Sequence, residues 1–476
     1  MQKYRVGFLI SGPILFFLCY LLIPEVMLDS ASRAAVGTFA WMAAWWIGSP
    51  VEPAVTALLP ILLNAIFSMI DMTTVISQYM SETTLMVFGA TIVSQAWSVT
   101  KLDKRFALKA LSLIGTSVTQ QVLIWFILAV VLSTVFPNLL VGVMLLPIAF
   151  AMLEFSGEIQ GIADVPRSKA ASLILAASIW GTYVGGMGTP LGGSMNLVAV
   201  NYFETYTGHE FMYINWFLRM LPLLLGTTLI SLVVLTILTP KGKTLNGSKE
   251  YFVAQYQALP KITRSEIVSG LLFFVPVLLA FIRPVFAALL PNMRTAYLFL
   301  IAAFLTFFIQ KEDHTPIFTW RRMEKEFQWS LLFMLSSGLA LGQILSGTNS
   351  IQLIANAINA VGVSGGLGTV FIFTVISMLI AELSNSIVSA SLSIPIIIGV
   401  TTNLGINPVP FIYVNIAALN CAFMMPTAVR AIPVGYGVEP KFIMKNGLFL
   451  SLATAMVITL LGYLLITVFP NFMGIA

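Results

Sequence analysis

Long apolar runs separated by short polar loops leave this chain one solvent to fold in. A membrane-spanning helix needs ~20 apolar residues. Runs of about that size recur at roughly 5–28, 33–48, 53–70, 84–99, 168–201, 215–239, 266–290, 295–310, 329–346, 404–437 and 442–470. Only 9% of the residues are charged and 58% are hydrophobic, against ~25% charged in soluble domains. The sequence therefore reads as an all-α polytopic membrane protein with about eleven transmembrane helices. The net charge of +5 does not point to nucleic acid, because the basic residues sit in short loops between apolar spans. Cys19 and Cys421 lie in apolar surroundings, and His209 and His314 lie in polar loops. No disulfide framework, metal cluster or cofactor motif is legible. Lys3 and Arg5 precede an apolar run without a small-residue cleavage site, which predicts a retained first span and not a signal peptide.

Two further apolar stretches, 117–150 and 365–400, carry turn-forming breaks near their middles. Each is too long for one span and fits two half-length helices that enter and leave on the same side, a re-entrant hairpin. Charge placement supports that layout. With the N-terminus in the cytoplasm, the 24 Lys and Arg fall on the cytoplasmic side except Arg33, Arg219, Arg283, Arg294 and Arg430, as the positive-inside rule requires. Making either hairpin a crossing would put the charges after it on the wrong side. The expected location is a cell membrane, with the C-terminus outside the cytoplasm. The basic amphipathic segment 100–116 is expected along the cytoplasmic interface and the segment 347–362 along the outer one. The loop 241–264 divides the chain into halves that share an order of parts, the second inverted relative to the first. Inverted repeats with discontinuous helices mark secondary transporters, which bind their cargo near the midplane where half-helix ends meet.

Four polar breaks are the expected site. The first hairpin, LSTVFPNLLVGVMLLP (132–147), has Pro137 and Asn138 at its tip. The second, AELSNSIVSASLSIP (381–395), has Ser384, Asn385 and Ser386. The first broken span, GTYVGGMGTPLGGSMN (181–196), offers Thr189, Gly192, Gly193, Ser194 and Asn196. The second, CAFMMPTAVRAIPVGYG (421–437), offers Thr427 and Arg430. Hydroxyls, amides, free backbone N–H groups and one guanidinium suit a carboxylate. A charge at this depth costs on the order of 2.5–3.5 kcal/mol, so Arg430 reads as an anion ligand; the alternative is that it snorkels to an interface. Hydroxyls in membrane helices also simply bond the i−4 carbonyl, and Gly185, Gly186 and Gly188 also serve close helix packing. Glu382 could carry a proton, pair with a cation or cap a helix N-terminus.

These motifs resemble those of the divalent anion:sodium symporter (INDY-like) family over nearly the whole chain. The hairpins match that family's two Ser-Asn-Thr hairpins in length and frame, GGMGTPLGGSMN is similar to the loop of its first broken helix, and CAFMMP to the lead-in of its second. The resemblance implies an elevator-type homodimer that moves di- or tricarboxylates such as succinate, malate, 2-oxoglutarate or citrate. It also implies a division into 1–99 (first span and scaffold), 100–201 (transport domain), 202–328 (scaffold and cytoplasmic loop), 329–437 (transport domain) and 438–476 (last span). This chain departs from the pattern in its tips. The first reads Pro137-Asn138-Leu139, the second Asn385-Ser386-Ile387 or Ser384-Asn385-Ser386, and the second loop is shortened and contains Arg430. Lost hydroxyls and a nearby fixed cation would weaken a sodium site. The sequence-level expectation is therefore sodium-independent exchange, with Arg430 replacing the coupling cation. The alternative is a sodium- or proton-coupled symporter of the same fold. A membrane-embedded enzyme and a channel are more distant readings: no intramembrane His or acidic pair supports the first, and the inverted repeat argues against the second.

Overall fold

The computed structural model describes residues 2–112, 115–160, 168–348, 350 and 365–469. Among them the chain is helical, with no β-strand beyond isolated bridges, because a backbone in lipid must satisfy its polar groups within its own segment. The helices used below are α1 (Gln2–Leu22), α2 (Ser30–Gly48), α3 (Leu59–Phe67), α4 (Glu82–Thr100), α5 (Leu102–Leu111), α6 (Val118–Val135), α7 (Asn138–Gln160), α8 (Lys169–Gly186), α9 (Ser194–Thr207), α10 (Tyr213–Leu238), α11 (Ser248–Gln257), α12 (Arg264–Phe281), α13 (Thr295–Thr306), α14 (Trp329–Gly347), α15 (Leu367–Leu383), α16 (Ser386–Asn403), α17 (Pro408–Leu419) and α18 (Pro440–Val468). Among the described residues, eight helices are long and apolar enough to cross a membrane, and shorter apolar helices accompany them.

Both hairpins are present. The first is α6 and α7 joined at Phe136–Pro137; the second is α15 and α16 joined at Ser384–Asn385. Their arms are full helices of 17 to 23 residues and not the half-length pieces the sequence suggests, since the apolar stretch on each side of the break supports the whole helix. Each hairpin begins and ends at one end of the fold. Val118 N–H donates to the Lys243 carbonyl (3.1 Å) and the Ser156 hydroxyl to the Asn246 carbonyl (2.9 Å), so both arms of the first reach the same loop. At the second, Gly365 lies against Ile406. The two hairpins open at opposite ends. The first sits at the end where Arg105 of α5 pairs with Glu266 (2.9 Å), and the second follows Ser350, whose hydroxyl reaches the Ser32 carbonyl (3.0 Å) at the other. The amphipathic segment 100–116 contains α5; most of 347–362 lies outside the described residues.

Packing groups the helices into two bodies. In one, α4 packs along α13 and α12; α1 packs along α2, which reaches α14 and α16. In the other, α8 packs along α6 and α7, while α10 and α18 pack together and reach α6, α15 and α17. Within the segments 202–328 and 438–476, α10 packs along α18 and also reaches α12. α14 touches both α4 and α16. Besides α14, an aromatic contact and a set of ion pairs join the bodies. Phe136, at the first hairpin's turn, stacks on Phe273 (4.3 Å between centroids) and meets Trp97 (4.5 Å). At the far rim, Arg283 pairs with Glu210 (3.0 Å) and Arg294 with Glu204 (2.8 Å).

The α6–α8 contact depends on glycine. A Cβ on Gly185 would stand 2.1 Å from the Val130 carbonyl oxygen, a backbone atom that cannot turn aside. Gly185→Ala should destabilise the protein by at least the ~1–3 kcal/mol typical of overpacking, read as a lower thermal midpoint in detergent. Gly366→Ala, where a Cβ meets open space, is the matched control and should leave the midpoint unchanged.

Candidate functional site

Helix breaks build this site. α8 ends at Gly186 and α9 starts at Ser194, so the segment between them frees backbone groups inside the protein. Asn196 satisfies two of them: its Nδ2 donates to the carbonyls of Gly186 and Thr189, both at 2.7 Å. The Thr189 hydroxyl donates to the Thr134 carbonyl (2.6 Å), and Asn138 N–H donates to the Gly192 carbonyl (2.9 Å). These bonds stitch the first hairpin's tip to the first broken span. They also bring the N-termini of α7 and α9 to the same place, because α7 starts at Asn138 and α9 at Ser194.

A cavity of about 210 Å³ lies there, lined by Pro137, Asn138 and Ser194 on one wall and by Thr91, Ser94 and Gln95 of α4 on the other. It lies toward the end where α14 begins, since Gln328 and Leu331 also border it. Asn138 Nδ2 is buried there with no partner. Two helix N-termini and a spare amide donor face this cavity, and helix dipoles and unpaired N–H groups favour negative charge. Of the expected ligands, Pro137, Asn138 and Ser194 therefore line the cavity. Gly192, Gly193, Thr189 and Asn196 frame it, with Thr189 and Asn196 spent on backbone groups.

The second pair of breaks is arranged differently. α17 ends at Leu419, and the chain continues through a non-helical stretch to a short turn at Ala428–Ala431. Glu382 of the second hairpin caps that stretch. It accepts Met424 N–H (2.8 Å) on one oxygen and Met425 N–H (2.7 Å) on the other. Arg430 is aimed back at it: one terminal nitrogen donates to Glu382 (3.3 Å) and to the Ala422 carbonyl (2.6 Å), the other to the Ala381 carbonyl (2.5 Å) and the Thr427 hydroxyl (2.7 Å). The guanidinium also lies over the Tyr183 ring, 5.5 Å from its centroid. Arg430 is 3% exposed and Glu382 5%, so neither snorkels to an interface.

In this geometry Arg430 is held by protein groups. Its terminal nitrogens are occupied by protein groups, and Glu382 balances its charge. A neutral pair does not need a bound dianion before it can move, so the physical premise for obligate exchange is absent. Glu382 is a cap and counter-charge, with three donors on its two oxygens. The second tip is likewise turned inward. The Ser384 hydroxyl bonds the Ile380 carbonyl (2.7 Å) and Ser389 (2.8 Å), while Asn385 caps α16 through Val388 N–H (3.1 Å). Ser384, Asn385, Ser386, Thr427 and Arg430 do not line the cavity at the first tip. Sequence reasoning missed the α4 wall, although Gln95 is a polar residue inside an apolar run, and missed Asn420, which links the two broken spans by donating to Asn196 (3.5 Å).

Residues 43–418 match the family described as citrate transporter. The chain belongs to this family. It is thus a carboxylate transporter by family, in agreement with the resemblance drawn from its motifs. Over 492 aligned residues it is 25% identical to the sodium-dependent dicarboxylate transporter SdcS of Staphylococcus saprophyticus, covering 100% of this chain and 94% of that protein. The SdcS of Staphylococcus aureus is 26% identical over 483 residues, with 98% and 92% covered. Among solved structures, the YdaH transporter of Alcanivorax borkumensis has a TM-score of 0.49 at 12% identity, covering 89% of this chain and all of that one.

The buried pair has a clear energetic signature. Removing one partner of a buried ion pair costs about 3–5 kcal/mol, whereas replacing both is far milder. Arg430→Met and Glu382→Gln should each lower the thermal midpoint strongly, and the double variant should lie above the sum of the two losses. Strict additivity across the four proteins would mean that the two side chains are not coupled.

Proposed function

We propose that this protein carries dicarboxylates across the membrane together with sodium ions. The observation that carries the reading is the meeting of the α7 and α9 N-termini at a cavity bordered by the unpartnered Asn138 amide. Each helix N-terminus is worth roughly half a positive charge, so the two supply about one unit against the two of a dicarboxylate. Arg430 adds nothing further, because Glu382 neutralises it. The remaining charge has to come with the substrate, and a co-transported cation is the simplest source. The naming of the SdcS relatives as sodium-dependent dicarboxylate transporters supports the same coupling.

The body of hairpins and broken helices is the part that moves, against the body built on α4, α12 and α13, in an elevator-type step. In this conformation the substrate cavity faces the end with the basic loops, the cytoplasmic side by the positive-inside rule. The protein works as a homodimer in the cell membrane, as its resemblance to the symporter family implies.

Uptake of labelled succinate into proteoliposomes tests this. An inward sodium gradient should drive accumulation into vesicles that hold no substrate. Uptake that requires internal dicarboxylate and ignores sodium would overturn the symport reading in favour of exchange. Asn138→Ala should raise the apparent KM by about tenfold to a hundredfold, the scale of a lost hydrogen bond to a charged group.

A further inference from the structure

The cavity is shared between the two bodies, and its α4 wall is chemically specific. Three of its lining side chains carry a buried polar atom with no partner: Asn138 Nδ2, Ser94 Oγ and Gln95 Oε1. Asn138 is 7% exposed and Ser94 3%. Buried polar atoms in folded proteins are nearly all paired, so three orphans around one void mark what the void is built to hold.

The orphans differ in kind. Asn138 Nδ2 is a donor and suits a carboxylate oxygen. Ser94 Oγ both donates and accepts. Gln95 Oε1 only accepts; Gln95, partly buried, donates its Nε2 to the Glu326 carbonyl (3.1 Å), and a flipped amide would place oxygen against oxygen. An ionised, unsubstituted dicarboxylate presents acceptors alone. It can satisfy Asn138 and Ser94 but leaves Gln95 without a donor, which carries the desolvation cost of an unpaired acceptor. A hydroxyl on the carbon chain supplies the missing donor.

We propose that Gln95 and Ser94 of α4 form a hydroxyl-reading subsite, so that the cavity favours 2-hydroxy dicarboxylates over their unsubstituted counterparts. This deepens the proposed function and rests on the cavity being the substrate site. Because α4 belongs to the body opposite the hairpins, the preference belongs to the conformation described here, the one facing the basic-loop side. A substrate presented from the opposite side meets Asn138 without Gln95.

Transport kinetics with L-malate and succinate in proteoliposomes test the proposal. Substrate is supplied on the basic-loop side, and orientation is controlled by side-specific blocking. The wild-type protein should show a KM about tenfold lower for L-malate than for succinate, the scale of one donor rejected by a buried acceptor. Gln95→Met, which keeps the side-chain volume, should bring the ratio of the two KM values toward one from both sides, raising the KM for L-malate, which loses its acceptor, and lowering that for succinate, which no longer leaves a buried acceptor unpaired. Ser94→Ala should lower the ratio in part. A purely structural role for Gln95 would shift both KM values alike and leave the ratio intact, which would overturn the proposal. So would equal wild-type KM values, the result expected if a water molecule occupies the subsite. If neither acid is transported or stabilises the protein to heat, the proposed function itself fails along with the subsite.

Discussion

A helix that breaks inside a membrane frees backbone donors and acceptors where no water can reach them, and everything distinctive about this fold follows from how they are satisfied. Leaving one unpaired in hydrocarbon costs several kcal/mol, so each break has a side chain assigned to it. At the first, the Asn196 amide takes the carbonyls of Gly186 and Thr189. At the second, the Glu382 carboxylate takes the N–H groups of Met424 and Met425. An amide does the first task without charge. A carboxylate does the second with an extra negative charge, and Arg430 is the compensation for it. Arg430 in turn takes the carbonyls of Ala381 and Ala422, so charge balance and backbone satisfaction are achieved by the same two side chains.

That arrangement separates the two broken spans by role. The second is closed on itself, with a neutral pair locked between hairpin and loop. The first keeps its hairpin tip and helix starts directed at a void, with donor capacity to spare at Asn138. The pseudo-symmetric halves therefore differ: one is closed by its own ion pair, and the other leaves the unpartnered Asn138 amide on a cavity.

Much of this was legible in the sequence, and the parts that were not have physical reasons. Apolar run lengths gave the spans, and Pro137-Asn138 and Ser384-Asn385 gave the hairpin turns, because prolines and capping residues act locally. The importance of Arg430 and Glu382 was also legible, since charges in apolar runs are costly. Their pairing was not: they lie 48 positions apart, and only the folded hairpin brings them together. The same holds for α10, whose apolar surface fits either body and whose allegiance is decided by its packing along α18. The α4 wall was hidden because Ser94 and Gln95 look like isolated polar residues on a span until Asn138 is placed across from them.

The two bodies meet through contacts of opposite character, and this bears on motion. Near the basic-loop end the contact is aromatic, with Phe136 between Trp97 and Phe273. At the far rim it is ionic, with Arg283 on Glu210 and Arg294 on Glu204. Apolar faces slide at little directional cost, because the attraction between rings falls off gradually and in lipid is replaced by contact with acyl chains. Ion pairs have a defined geometry and must be separated before the bodies can shift. In the proposed elevator-type step the rim pairs would add to the barrier between conformations, while the aromatic contact would offer the surface along which the hairpin tip travels. A substrate whose hydroxyl bridges to α4 adds a third contact between the same bodies, so the ligand that fits the cavity best also resists leaving this conformation most.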